Sequence, residues 1–368
     1  MMLKKLIFLI LPILLCGCTH DMNREEIDEI DLVLVLGIDY DQNEFSVSAL
    51  YSTGSGGASG AGVGTGKEEL VKGEGKTAYE ALENLKLNNK KNITLAQAGS
   101  FLIGEAAAKK GIDQSLDFLK RDETIKMEAL VYIIKEKKAE DFIKEGIKNK
   151  QTIHEDLKAI EQKQLKLLTR NDNTFVNILN DMEQNYSSVL IPYLLAEKAG
   201  FRMEGYAVFD QLKLVDYLDR ETSDGVNFIR NIMRSYPIYL KDEVSLAVSY
   251  TNTKLKASVN NDTILVTIKV DFETMMKEIL TKENVFSGEE LLQLTEAQNE
   301  YIVNILNKPV QYSLNKGLDI LNLARLVENQ NVSDWSTIEG DWNNRIGGIQ
   351  FKYQVRSQIT KSFILGNK

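Results

Sequence analysis

Residues 32–52 read LVLVLGIDYDQNEFSVSALYS. Two apolar runs rich in β-formers flank the polar segment 39–44, and this pattern predicts a β-hairpin. Asp39, Asp41 and Asn43 imitate the opening of a calcium loop, which needs Gly at its sixth position and Glu at its twelfth. Those positions hold Glu44 and Leu50, so the segment reads as a turn. Working outward, the pattern becomes helical from Thr77, with Ala78, Ala81, Leu82 and Leu85 on one face and Thr77 as the cap. A strand is expected at AGSFLI, 98–103, then two helical pieces divided by Gly111, then a strand within MEALVYIIK, 127–135. Strand pair, helix, strand, helix, strand is the order of an α/β or α+β domain with helices packed on a sheet. Residues 139–168, interrupted near Gly146, and 173–185 read as helices.

The region from Pro192 to Gly200 suggests a boundary, after which RMEGYAVFDQLKLVDYL forms two short strands joined at Asp210 and Gln211. A helix is expected over 223–233. Residues 242–260 and 263–272 alternate polar and apolar, as strands with one wet face and one buried face do. Ser287 and Glu290 have the spacing of a capping box, opening a helix that buries Leu291, Leu294, Ala297, Tyr301 and Ile305. Pro309 is expected to kink or break it, with Leu314, Leu318, Leu321 and Ala324 continuing the stripe. Trp335 and Trp342 are expected to plug the gap between helix and sheet. The closing IQFKYQVRSQIT alternates as an edge or returning strand.

Both cysteines lie in ILLCGCTHDMN, residues 13–23. A structural zinc site wants four ligands and the common redox motif spaces its cysteines by two residues, so Cys16 and Cys18 fit neither. Lys4 and Lys5 precede an apolar run, 6–15, too short to span a bilayer. With Leu15-Cys16-Gly17-Cys18 after it, this reads as a bacterial lipoprotein signal in which residues 1–17 are removed. Cys18 is then acylated as the first residue of the mature chain, and 18–31 is a charged tether. Two acyl chains hold where one leaks. Losing Lys4 and Lys5 takes the formal charge from −9 to −11, a balance that argues against nucleic acid and against broad adhesion to anionic lipid. The glycine-rich stretch 52–66 reads as a flexible loop between strands. GEGKT, 73–77, mimics the end of a phosphate loop, but position 70 is Leu70 rather than Gly.

No catalytic constellation emerges. His20 and His154 have no partner at nucleophile or metal-ligand spacing, and no Gly-x-Ser-x-Gly occurs. The carboxylate pairs Asp219 with Glu221, and Glu25 with Glu26, read as solvated faces. The chain is therefore expected not to be an enzyme and to need no cofactor or metal.

The chain resembles the Ger(x)C lipoproteins, the C subunits of germinant receptors of spore-forming bacteria, over nearly all of its mature length. The matching pieces are Cys18 with REEI at 24–27, LGID at 36–39, GEGKTAYEALENL at 73–85 and FLIGE at 101–105, then LDFLKRD at 116–122 and YAVFDQLKLVDYL at 206–218. Their order and spacing carry the specificity. Thr19 stands where the family often has Trp, and 52–66 resembles an enlarged variable loop. The resemblance implies a three-domain α+β ectodomain of mixed and antiparallel sheets packed with helices. Its expected divisions are an α/β domain over 32–200, a small middle domain over 201–242 and an α+β domain over 243–368. It implies a lipid anchor on the outer surface of the spore's inner membrane, and membrane-embedded A and B subunits as partners in the response to small-molecule nutrients. A substrate-binding lipoprotein of a transporter is the alternative; it predicts strand and helix alternating throughout two lobes, unlike the adjacent strands of the C-terminal third.

Overall fold

The computed structural model describes residues 29–53, 67–198, 200–240, 244–260, 263–280 and 288–360. Cys16, Cys18, His20, Glu25, Glu26, residues 54–66 of the glycine tract and the Ser287 cap lie outside the described residues.

The hairpin forms as expected, from β1 (Ile30–Asp41) and β2 (Glu44–Thr53). Gln42 and Asn43 take φ of 49° and 67°, as a two-residue type I′ turn requires. β3 (Lys67–Gly75) pairs antiparallel with β2, its first residue Lys67 opposite Thr53, the last of β2, so the glycine tract connects two paired strand ends. α1 (Ala78–Asn88) starts at its expected cap: Thr77 Oγ1 accepts the Glu80 N–H at 3.1 Å. It buries the four apolar residues named from the sequence.

β4 (Asn92–Thr94) and β5 (Ser100–Gly104) follow, then α2 (Glu105–Lys110) and α3 (Ile112–Lys120). Gly111 divides the two helices with φ 147°, a value that an L side chain rarely adopts. After β6 (Leu130–Ile134), the expected helix 139–168 is two, α4 (Ala139–Lys148) and α5 (Ile153–Leu167), with the break just beyond Gly146. α6 (Phe175–Met182) leads to β7 (Val189–Glu197), β8 (Gly200–Asp210) and β9 (Lys213–Tyr217). These complete a nine-stranded sheet in the order β3-β2-β1-β5-β6-β7-β8-β9, with β4 beside β1. β1, β5, β6 and β7 run parallel, and the strands beyond them on both sides are antiparallel.

Side chains alternate across this sheet. Leu36, Ile38, Phe101, Ile103 and Ile133 face a core shared with α1, α2, α3 and α6, while Val35, Leu102, Tyr132 and Ile134 face α4 and α5. Burial on both faces explains why β5 and β6 read as unbroken apolar runs.

Pro192 does not break the chain but sits inside β7, opposite Tyr206. The ladder to β6 covers only Tyr193 and Leu194, so the missing proline N–H removes no bond from it. Residue 200 opens β8, which pairs with β7, so the large sheet runs across the expected division there. Residues 201–242 supply β8 and β9 to this sheet, then α7 (Arg220–Ile229) and β10 (Tyr236–Leu240), which belongs to a second sheet.

β10, β11 (Val244–Asn260) and β12 (Thr263–Ile279) form an antiparallel meander. On β12, Ile264, Val266, Ile268, Val270 and Phe272 all point into one core. α8 (Gly288–Lys316), α9 (Leu323–Gln330), α10 (Val332–Ile338) and α11 (Trp342–Arg345) return the chain to β13 (Gln350–Thr360), the edge strand, parallel to β12. Trp342 and Trp335 pack edge to face with centroids 5.2 Å apart and are buried in this core. Leu190, Tyr206 and Val208 of the large sheet join the same core, so the two sheets share one hydrophobic contact region.

Two expectations for the long helix need correction. Of the kink or break expected at Pro309, the break does not occur, for Pro309 lies inside a continuous α8. Proline deprives the carbonyl four residues back, that of Ile305, of its helical donor. Gly225 of α7 lies against this spot, where any Cβ would strike the Ile305 carbonyl and sit 2.7 Å from Pro309 Cδ. Close packing of α7 thus covers the irregular turn. The helical stripe also does not continue past Leu314: α8 ends at Lys316, Gly317 takes φ 65°, and Leu318 and Leu321 reach the core from a non-helical link.

Candidate functional site

The motif residues converge at the carboxyl ends of the parallel strands β1, β5 and β6, the end where open α/β sheets place their ligands. Asp39, expected in the turn, instead ends the buried part of β1. Its Oδ1 accepts the Ala139 N–H at 2.7 Å and its Oδ2 the Glu140 N–H at 2.9 Å, so one carboxylate takes two free donors at the start of α4. Gly104, at the end of β5, has to be glycine because a Cβ would collide with Asp39 Oδ1 and lie 3.2 Å from the Ala139 nitrogen. A Cβ on Gly37 would likewise collide with Ser48 Oγ and lie 3.1 Å from Ala139 Cβ.

Glu105 follows. Its carboxylate accepts the Glu136 N–H at 2.6 Å and the Tyr217 hydroxyl at 3.0 Å, and pairs with Lys109. Burial pushes the Glu105 pKa upward, but Lys109 and these donors outweigh it and hold the group below its ordinary value. Tyr217, desolvated and beside Glu105, is pushed up. Lys135 lies over the rings of Tyr193 and Tyr217, 5.2 and 4.6 Å from their centroids. Beside these groups is a shallow cavity of about 580 Å³ walled by Glu105, Lys109, Lys138, Asp141 and Lys144. Along this wall Glu105 pairs with Lys109 and Lys137 with Glu145, while Lys138 pairs with Asp41 at 2.7 Å and Lys144 with Glu140, both partners lying outside the lining. Such a wall offers charged contacts to a partner rather than a nucleophile with a base.

The other residues weighed from the sequence have structural employment. Asp219 caps α7, accepting the Thr222 N–H at 2.8 Å, and Glu221 pairs with Lys308 of α8. His154 does have a partner: Nδ1 lies 2.5 Å from Oε1 of the buried Glu68, whose Oε2 accepts the Ile153 N–H at 3.1 Å. The two are 86 residues apart, so no spacing rule could pair them. Asp319 was not singled out either. Buried in the link after α8, it accepts the Leu323 and Ala324 N–H groups, each at 2.7 Å, and so starts α9. The available signal was an acid isolated in apolar surroundings, shared by Asp39 and Asp319. Among the described residues no group of three or more His, Cys, Asp or Glu is placed to hold a metal ion.

Burial dominates the shifts of Asp39, Asp224 and Asp319, pushing each from 3.8 to about 6. A raised folded-state pKa means that the native protein takes up the proton first as pH falls. The stability each group contributes is complete below about pH 4 and is lost as pH rises through about 6. For one group the change is on the order of 3 kcal/mol. The protein is therefore expected to melt at a higher temperature at pH 5 than at pH 7. Asp319→Asn should reduce that difference, and an unchanged difference would remove Asp319 from the account.

The comparisons agree on one relationship. Residues 23–196 match the family described as Spore germination protein N-terminal domain, and residues 204–362 match Spore germination B3/ GerAC like, C-terminal. Spore germination protein GerQC of Bacillus cereus is 20% identical across 98% of this chain and 99% of its own length. Spore germination protein KC of Bacillus subtilis (strain 168) is 23% identical across 93% and 90%. The crystal structure of the GerBC protein shares the fold, with a TM-score of 0.58 at 16% identity, covering 88% of this chain and 96% of that one. The chain belongs to this family of spore germination proteins, whose N-terminal and C-terminal domains it carries in order along most of its length.

Proposed function

We propose that the chain is a lipid-anchored, non-enzymatic subunit of a spore germinant receptor, required for the germination response to small-molecule nutrients. In this reading Cys18 carries the lipid and holds the protein on the outer surface of the spore's inner membrane, beside membrane-embedded A and B subunits. The observation that carries the proposal is the use to which the family's motif residues are put. Asp39 of LGID, Gly104 of FLIGE and Gly73 of GEGKT all sit at contacts between a helix and a strand. Residues used in this way fix the shape of surfaces, and surfaces are what a receptor subunit contributes to an assembly.

Among the described residues no helix is long and apolar enough to cross a membrane. Two acyl chains on Cys18, each contributing about 0.8 kcal/mol per buried methylene, supply the attachment. Cys18→Ala is expected to move the protein from the membrane fraction to the soluble fraction of spore extracts after a high-salt wash, with its circular dichroism unchanged. A tagged wild-type copy should bring the A and B subunits through purification. Retention of the alanine variant on washed membranes would point to a different attachment.

A further inference from the structure

A second cavity, of about 530 Å³, lies where the segment before α6 meets α7, β11 and α9, between the two sheets. Three guanidinium groups meet there, Arg170, Arg230 and Arg325, in a chain whose formal net charge is −9. The carboxylates opposing them are Asp172 and Asp181. Asp172 is shared: Oδ1 is 2.7 Å from Arg170 Nε and Oδ2 is 3.8 Å from Arg230 Nη1. Burial raises the pKa of Asp181. Arg325 is exposed and forms no hydrogen bond or ion pair among the described residues.

Arg230 is the decisive group. Its side chain is 11% exposed, and both Nε and Nη2 are buried without a hydrogen-bond partner. Those two nitrogens form the side-on edge of a guanidinium, the fork that grips two oxygens of one carboxylate or phosphate. The Thr253 hydroxyl, on a residue only 7% exposed, is likewise buried and unpartnered on the same wall. Buried donors are ordinarily satisfied, so unmet ones gathered at one cavity mark a place built for an acceptor. Side-chain amides make up much of the remaining wall and suit a polar body.

We propose that this cleft binds a small molecule bearing an oxyanion, a carboxylate or a phosphate, with Arg230 and Arg325 as the clamp. The Arg230 fork is closed to water, so the guanidinium swings toward the cavity on binding and exchanges its long contact with Asp172 for the ligand. Because the cleft joins elements of both sheets, occupancy ties their relative position to a small molecule. The inference does not depend on the lipid anchor or on the receptor subunits.

The test is calorimetric titration of the full chain in detergent micelles with sodium phosphate and, separately, sodium acetate, against sodium chloride at equal ionic strength. Saturable binding in at least one arm is expected, and the arm that binds identifies the anion. Arg325→Ala, at an exposed position where folding is checked by circular dichroism, should weaken that binding tenfold or more. Arg230→Lys keeps the charge and loses the fork, and should weaken it to a similar degree. Heat that chloride reproduces, no saturation in either arm, or unchanged affinity in either variant would overturn the proposal.

Discussion

Gly73→Ala is expected to destabilise the protein by about 3 kcal/mol or more, the upper range for forcing atoms into a packed interior. Gly73 lies on β3 directly beneath α1. A Cβ there would collide with the Ala81 carbonyl and the Leu85 nitrogen, and would stand 2.8 Å from Leu85 Cα. All three are backbone atoms of one helix, so no side-chain rotation relieves the clash. α1 must lift off the strand, exposing Ala78, Ala81, Leu82 and Leu85, each at most 2% exposed in the native fold. Gly99→Ala is the control, since its nearest neighbour is the Leu34 carbonyl oxygen at 4.0 Å, and it should change stability by less than about 0.5 kcal/mol. Urea unfolding midpoints of the two variants decide the matter. Equal midpoints would mean that α1 does not need the bare backbone of Gly73.

Asp39→Ala should cost about 2–4 kcal/mol at pH 7, because it leaves the Ala139 and Glu140 N–H groups buried without their acceptor. Part of the loss is offset by removing a carboxylate whose charge burial disfavours. Asp41→Ala removes a carboxylate two residues away whose side chain is 57% exposed and paired with Lys138. An exposed pair of this kind is screened by solvent, so its loss should lower stability far less than Asp39→Ala does. The comparison separates a helix anchor from a surface ion pair. Hydrogen exchange should also report faster exchange confined first to α4 in Asp39→Ala. Slowed or unchanged exchange there would argue that α4 is held by Phe142 and Ile143 alone.

Both substitutions fall in segments by which the family is recognised, Gly73→Ala acting through packing and Asp39→Ala through two hydrogen bonds to a helix start. The recognisable residues preserve a joint, whereas the cleft around Arg230 gathers residues that none of those segments includes.

The sequence by itself determined the local events. The two β-rich runs of 32–52, the alternation along β12, the Thr77 cap, and the break at Gly111 were legible because each depends on residues within a few positions of one another. The α+β class followed from their order, and family membership from the spacing of the motifs. Tertiary structure alone decided the rest. Asp39 meets α4 across 100 residues, Glu68 meets His154 across 86, and both contacts exist only because β1, β3 and β6 stand where the sheet order puts them. Pro192 lies within β7, where a short ladder to β6 spares its missing N–H, and of the kink or break expected at Pro309 the break does not occur, α7 covering that turn. A local signal states what a residue does to its own backbone, whereas whether that effect is expressed depends on which distant element packs against it.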